Sequence, residues 1–84
     1  METFTQPKIT GYRQLSETEV ALMNEGKALA EACGSYIEKL RRAGSEHGTP
    51  VPTPLDQRWI SIGATQLQQG FMAVIRGIAQ PTTF

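Results

Sequence analysis

The chain has 84 residues, 39% of them hydrophobic, and its eight basic side chains balance eight acidic ones. A chain of this length forms one domain with a small core. The balanced charge argues against duplex DNA binding, for which a basic domain is expected. No run of about 18 apolar residues predicts a membrane span. The first residues carry no basic-then-apolar signal pattern, so we expect the protein in a cytoplasm.

The N-terminal residues lead into a well-marked helix. Residues 1–15 show little apolar periodicity and predict an extended arm. Ser16 and Glu19 have the spacing of a capping box, which marks a helix start. We therefore expect the first helix over residues 17–43, and Gly44 ends it.

The first helix carries an apolar seam. Steps of four and three predict a seam made of Leu22, Gly26, Leu29, Cys33, Tyr36 and Leu40, widened on one side by Met23, Ala30 and Ile37. Gly26 and Gly34 each cost about 1 kcal/mol relative to alanine in a helix. Since neither glycine caps the helix, we interpret both as positions of close backbone approach.

A short linker connects this helix to a second one. Residues 44–53 contain alternating prolines, which stiffen the linker. The second helix is expected over residues 54–79, with Thr53 as its N-cap and a proline at its first position. Pro81 stops it, because the residue before a proline disfavours the helical conformation. Residues 16–81 thus predict an all-α fold, a long antiparallel α-hairpin.

The apolar stripe of the second helix is wider than one neighbouring helix can cover. Its main line consists of Ile60, Gly63, Leu67, Phe71, Val74 and Ile78. Trp59 and Ile62 lie off that line. Leaving several such side chains in water forfeits several kcal/mol, which is comparable with the stability of a small domain. We therefore expect an obligate homo-oligomer in which hairpins share a helical core.

No catalytic pattern is present in the sequence. The single histidine, His47, lies in the linker, and the single cysteine, Cys33, lies on the seam of the first helix. One cysteine excludes an intramolecular disulfide and a multi-cysteine zinc site. The motifs of zinc proteases, serine hydrolases, phosphate-binding loops and calcium loops do not occur. We expect no enzyme activity, no cofactor and no metal.

Tyr12 and Lys27 suit a nucleotide ligand. Tyr12 precedes a helix, and an aromatic ring stacks on a base with about 1–3 kcal/mol. The amine of Lys27 is a natural partner for a phosphate. Roughly 16 Å of helix from Ser16 to Lys27 separates the two residues within one chain, and they would converge on one ligand if an oligomer brings Tyr12 of one chain against Lys27 of another. From the residues alone, a solvated lysine and a tyrosine packed on the helix remain the simpler interpretation. Arg58 has a similar alternative, an ion pair with Asp56 or Glu46.

The sequence resembles the phage anti-CBASS cyclic-oligonucleotide sponge family in several blocks. These blocks are GYRxLS from Gly11, LMN from Leu22 followed by Lys27, DxRWxxI from Asp56, LQxGFMA from Leu67 and RxIxQP from Arg76. The match spans nearly the whole chain apart from the arm and the linker.

The resemblance implies a protein in the cytoplasm of the infected bacterial host that sequesters cyclic di- and trinucleotides, cGAMP among them, without cleaving them. CBASS effectors would then stay inactive. It also implies a compact homohexamer with separate pockets for the two ligand classes. At the cyclic dinucleotide pocket, Tyr12 would stack on a base, Lys27 would hold a phosphate, and Arg13 would join them. Arg58 would serve the cyclic trinucleotide pocket. The chain departs from the family pattern at Gly26, where we expect a bulkier apolar residue.

Two other functions are weighed against this one. The alternative is a helical-hairpin interaction module that occupies a host protein through the face around Trp59. A phosphodiesterase that destroys the signal is disfavoured, because the sequence offers no pattern of metal ligands.

Overall fold

The computed structural model describes Gly11 and residues 13–84. These residues hold two helices, α1 (Glu17–Arg42) and α2 (Gln57–Ala79), which pack against each other as an antiparallel hairpin. Within the described residues there is no strand. The all-α hairpin is therefore confirmed. Most of the predicted arm lies outside the described residues, so the division into an arm at 1–15 and a hairpin at 16–81 stays a prediction.

The start of α1 follows the capping-box prediction. The hydroxyl of Ser16 accepts from the amide of Glu19 at 3.1 Å, and the carboxylate of Glu19 accepts from the amide of Ser16 at 2.9 Å. The helix ends at Arg42, one residue before the predicted end. Gly44 follows with a φ of 83°, in the left-handed region that glycine adopts at helix ends.

The start of α2 was predicted wrongly. The helix begins at Gln57, and its N-cap is Asp56, so Thr53 is not the cap. One carboxylate oxygen of Asp56 accepts from the amides of Arg58 at 3.1 Å and Trp59 at 3.3 Å. A carboxylate satisfies these amides and also interacts favourably with the positive end of the helix dipole, an advantage that a threonine hydroxyl lacks. The helix accordingly has 23 residues.

The end of α2 agrees with the expectation from Pro81. The last helical residue is Ala79, and Gln80 follows with a left-handed φ of 45°. The amide of Gln80 still donates to the carbonyl of Arg76 at 2.8 Å. Since a following proline disfavours the right-handed helical conformation at Gln80, the chain leaves the helix there.

The first half of the linker is a compact hydrogen-bonded turn. The amide of Gly44 donates to the carbonyl of Thr49 at 2.8 Å, and the amide of Gly48 donates to the carbonyl of Ser45 at 3.1 Å. A Cβ at position 48 would overlap the carbonyl oxygen of Arg42. Only glycine therefore fits at this position.

The seam of α1 differs from its predicted composition. The side of α1 with reduced exposure consists of Glu19, Met23, Gly26, Ala30, Cys33, Ile37 and Leu40. Leu22, Leu29 and Tyr36 are instead 48%, 58% and 60% exposed. These three seam residues therefore do not lie on the side of α1 that packs against α2. Apolar residues flank the line of Gly26 and Cys33 on both sides, so their spacing did not decide which flank meets α2.

The glycines of α1 behave differently from one another. A Cβ on Gly26 would lie 3.1 Å from Cδ1 of Ile75, so the close-approach interpretation is confirmed there. The same interpretation is wrong for Gly34 within this chain, because a Cβ on Gly34 would meet nothing within 4 Å. Gly63 and Gly70 of α2 likewise have open space beside them in the hairpin.

The hairpin encloses no core. None of the described residues is buried, and Trp59, Met72 and Val74 are 63%, 71% and 59% exposed. Both helices therefore present apolar side chains to water. In the described part of the chain, neither helix is long and apolar enough to cross a membrane.

Candidate functional site

Arg13 joins the two helices at the open end of the hairpin. Its Nε donates to the carbonyl of Ala79 at 2.8 Å, and its Nη2 donates to the carbonyl of Ile78 at 2.9 Å. The same guanidinium forms an ion pair with Glu19, including a hydrogen bond of 3.3 Å from Nη1 to Oε1. A longer contact of 3.5 Å reaches the carbonyl of Gln14. We call this set of contacts the arginine clamp.

The arginine clamp uses the full hydrogen-bonding capacity of Arg13. A guanidinium has five N–H groups, and five hydrogen bonds leave Arg13. Two of them reach carbonyls in the last turn of α2, where carbonyl groups lack partners within the helix. The positive charge of Arg13 also suits the negative end of the α2 dipole. Arg13 thus fixes the entry to α1 onto the exit of α2.

The ion pair perturbs both of its partners. The hydrogen bond from Arg13 lowers the pKa of Glu19 from 4.5 to about 2, and the backbone amide and hydroxyl of Ser16 contribute in the same direction. The hydrogen bond to Glu19 raises the pKa of Arg13 in turn. Each of the two charged side chains is 29% exposed. The pair is therefore formed at neutral pH, with water in contact with both side chains.

Gly11 is anchored beside the clamp. Its carbonyl accepts from the amide of Thr82 at 2.7 Å. Its φ of 88° is left-handed, and a Cβ at this position would overlap the hydroxyl of Thr83. Gly11 and Arg13 are therefore both tied to the end of α2 or to the residues that follow it. Tyr12, which stands between them in the sequence and is predicted to stack on a base, lies outside the described residues.

Lys27 is exposed on α1. Its neighbour Gly26 approaches Ile75 of α2, which lies three positions before Ile78 of the arginine clamp. Roughly 16 Å of helix separates Lys27 from the start of α1 at Ser16. Within residues 13–84, Lys27 forms no ion pair with Glu19 of the clamp. The convergence of Lys27 with Tyr12 in an oligomer stays a prediction, because Tyr12 lies outside the described residues.

Arg58 lies at the other end of the hairpin. It occupies the first turn of α2 and is exposed. About 30 Å of helix separates it from Ile78 in the clamp. Within residues 13–84 it forms no ion pair with Asp56 or Glu46, so that alternative for Arg58 is wrong. Arg13 and Arg58 accordingly lie at opposite ends of the hairpin.

Open grooves on the hairpin do not contain these candidate residues. A groove of about 520 Å³ lies between the helices, with apolar side chains that include Cys33, Ile37, Phe71 and Met72. A second groove, beside the turn, is lined by charged and polar residues that include His47. Neither groove includes Arg13, Lys27 or Arg58. Across Gly11 and residues 13–84, no three His, Cys, Asp or Glu side chains are grouped as a metal site.

No local sequence pattern indicates the arginine clamp. Glu19 was assigned only to the capping box, and its pairing with Arg13 was missed. The carbonyls that Arg13 binds lie 65 and 66 positions further along the chain. Such a contact follows only from the packing of the hairpin and not from sequence spacing.

An antiparallel pair of helices with exposed apolar faces and a clamped open end defines the class: a helical-hairpin protein. A model of the Acb2/Tad1 hairpin domain matches residues 7–79. The chain is also similar to the Anti-CBASS protein 2 of Pseudomonas phage JBD67, with 32% identity over 99 aligned residues that cover 88% of this chain and 92% of the relative. The chain belongs to the Acb2/Tad1 hairpin-domain family. The resemblance noted in the sequence is thereby confirmed.

Proposed function

We propose that this protein is a phage anti-defence sponge that sequesters cyclic di- and trinucleotides and thereby keeps CBASS effectors inactive. The observation that carries the proposal is the family match over residues 7–79, which includes every predicted ligand residue. The similarity to a phage protein named for its anti-CBASS action supports the same conclusion. The protein acts in the cytoplasm of the infected bacterial host.

The proposed dinucleotide site combines Tyr12, Lys27 and Arg13. Tyr12 stacks on a base of a ligand such as cGAMP, and the amine of Lys27 holds a phosphate. Arg58 belongs to a separate trinucleotide site. The separation of Arg58 from the arginine clamp supports two sites, because one small cyclic ligand does not span the roughly 30 Å of helix between them.

We infer a homo-oligomer, a hexamer by the resemblance, as the active form. The absence of any buried residue in the described part of the chain supports self-association. A single hairpin leaves Leu29, Trp59 and Val74 more than half exposed, and burying such side chains stabilises a small protein by several kcal/mol. The oligomer also supplies the second subunit that the convergence of Tyr12 and Lys27 requires.

The sponge acts by mass action and not by catalysis. It withdraws the signal only if it is present in excess and binds more tightly than the host effector. Binding and release leave the ligand intact, so neither a metal nor a general base takes part.

The experiment that tests the proposal incubates the protein with cGAMP, removes unbound ligand, digests the protein and analyses what is released. Intact cGAMP, recovered only after digestion, is the expected result. Cleaved ligand would indicate an enzyme, and no retention at all would refute the sponge. Tyr12→Ala and Lys27→Ala should each abolish cGAMP retention while the oligomer persists. Arg58→Ala should lose cyclic trinucleotide retention and keep cGAMP, and it is therefore the matched control.

A protein-interaction module is the second candidate, because Trp59 is 63% exposed. A large exposed aromatic side chain is a frequent anchor of protein interfaces. Trp59→Ala distinguishes the two functions. If the chain acts on a host protein through this face, the variant loses anti-CBASS activity in infected cells while it still binds cyclic nucleotides and keeps its oligomeric mass.

A further inference from the structure

We propose that Arg13 is a positioning residue for Tyr12 and does not itself contact the ligand. The arginine clamp anchors the segment before α1 to the end of α2, and cyclic dinucleotide binding depends on that anchorage. This inference rests on the proposed function, since it assigns a role within the same site. Glu19 becomes a second positioning residue, because it holds Arg13 in place. Its negative charge would repel a phosphate, so it acts without contacting the ligand.

The hydrogen bonds of Arg13 argue against a direct phosphate contact. All five N–H groups of the guanidinium have partners in the hairpin. A phosphate would have to displace the carboxylate of Glu19 or the carbonyl of Gln14, Ile78 or Ala79, and the carbonyl of Gln14, at 3.5 Å, is the most distant of these partners whose distance is given. Glu19 also neutralises the charge of Arg13 at close range, which weakens its attraction for a second anion.

The anchorage acts on both sides of Tyr12. Arg13 holds the segment through the carbonyls of α2, and Gly11 holds it through the amide of Thr82 at 2.7 Å. Anchoring the neighbours in advance lowers the entropy cost of ordering a binding residue when the ligand arrives. The clamp therefore contributes affinity without adding a contact to the ligand.

The test is a double-mutant cycle on the full-length protein with cGAMP as the probe, measured by titration calorimetry. Arg13→Ala and Glu19→Ala should each weaken binding by about 5- to 150-fold, the range that corresponds to a stacked base. The double variant should bind no more weakly than the weaker single variant, because both changes break one clamp. A direct contact between Arg13 and phosphate predicts the opposite for Glu19→Ala, namely unchanged or tighter binding, and that result would overturn the inference.

A matched control separates positioning from helix stability. Ser16→Ala removes the hydroxyl that caps α1 and leaves both Arg13 and Glu19 in place. It should lower the melting temperature and retain cGAMP binding. If Ser16→Ala weakens binding as much as Glu19→Ala does, loss of the cap alone explains the effect and the positioning role is refuted. Glu17→Ala, which removes another acidic residue of the first turn, should behave like wild type.

Two further measurements test the inference on the protein without a ligand. Hydrogen exchange should show that the amide of Thr82 loses protection in Arg13→Ala and keeps it in Ser16→Ala, and equal protection in both would overturn the anchorage. Light scattering should give the wild-type mass for Arg13→Ala and Glu19→Ala. A lower mass would show that the clamp serves assembly instead.

The outcomes also separate this inference from the function on which it rests. A wild-type protein that retains no cGAMP refutes the sponge and the inference together. A wild-type protein that binds cGAMP, with a Glu19→Ala variant that binds equally well, refutes only the inference.

Discussion

Arg13 donates a hydrogen bond of 2.9 Å to the carbonyl of Ile78, a residue 65 positions later in the chain. This contact joins the entry of α1 to the exit of α2. The turn around Gly48 closes the other end of the hairpin with hydrogen bonds of its own. The hairpin is thus held at both ends by polar contacts, while the apolar contacts between them leave every described residue at least partly exposed.

The clamp makes the stability of the hairpin sensitive to acid. The pKa of Glu19 is about 2 in the folded chain against an ordinary value of 4.5. Between these two values the unfolded chain binds more protons, so the stability rises with pH there and falls as the pH is lowered through the same window. We expect the melting temperature to fall less steeply with acid in Glu19→Gln, followed by circular dichroism. Glu17→Gln is the control and should retain the wild-type slope. Equal slopes for all three proteins would contradict the ion pair.

The cap of α2 predicts a contrast between two nearby positions. Asp56→Ala should destabilise the protein by about 1 kcal/mol, because two amides of the first turn lose their acceptor. Thr53→Ala should change the stability by less than about 0.5 kcal/mol, since this residue precedes the helix and does not cap it. Chemical denaturation followed by circular dichroism measures both. A larger loss of stability in Thr53→Ala than in Asp56→Ala would contradict the cap at Asp56 and support the helix start predicted at residue 54.

Gly48 in the turn and Gly34 in α1 are predicted to respond oppositely, in stability, to substitution by alanine. Gly48→Ala should destabilise the protein by more than about 1 kcal/mol, because its Cβ would overlap the carbonyl of Arg42. Gly34→Ala should be neutral or stabilising by up to about 1 kcal/mol, since alanine favours the helix and open space surrounds the position in the hairpin. Thermal unfolding of the two variants checks this order. A strong loss in Gly34→Ala together with a lower oligomeric mass would instead place Gly34 in a contact between subunits.

Exposed apolar residues of α1, among them Leu22, Leu29 and Tyr36, predict a surface that self-association buries. Leu29 is 58% exposed in the single hairpin. Leu29→Lys should lower the mass measured by light scattering at micromolar concentration, because a buried charge without a partner is costly. Ala28→Lys adds the same charge one position away, on the side of α1 opposite the seam, and should retain the wild-type mass. A stable folded wild-type monomer would contradict the proposed oligomer itself.

Local signals in the sequence predicted the elements better than the contacts between them. Ser16 and Glu19 predicted the start of α1 because a capping box depends on a spacing of three residues. Thr53 was predicted as the N-cap of α2, whereas Asp56, three residues later, takes that role. The predicted range of 54–79 was nevertheless close to the observed Gln57–Ala79, because Pro81 correctly indicated the C-terminal end of the helix.

The contacts between the two helices could not be predicted from the sequence patterns. Leu22 and Met23 both flank the line through Gly26, and only the packing of α2 shows that Met23 lies on the less exposed side. Arg13 was assigned to the ligand because it adjoins Tyr12, whereas its contacts with α2 become visible only when the hairpin is assembled. The ligand roles of Lys27 and Arg58 stay predictions, since they depend on subunits and ligands beyond a single chain.

The hydrogen bond between Gly11 and Thr82 has a practical consequence for labelling. Anything fused after Phe84 would emerge close to Gly11 and the arginine clamp, where an affinity tag would crowd this end of the hairpin. The turn near Glu46 lies at the far end, about 39 Å away along the 26 residues of α1. A surface-attachment group placed at Glu46 would leave the arginine-clamp end of the hairpin uncrowded.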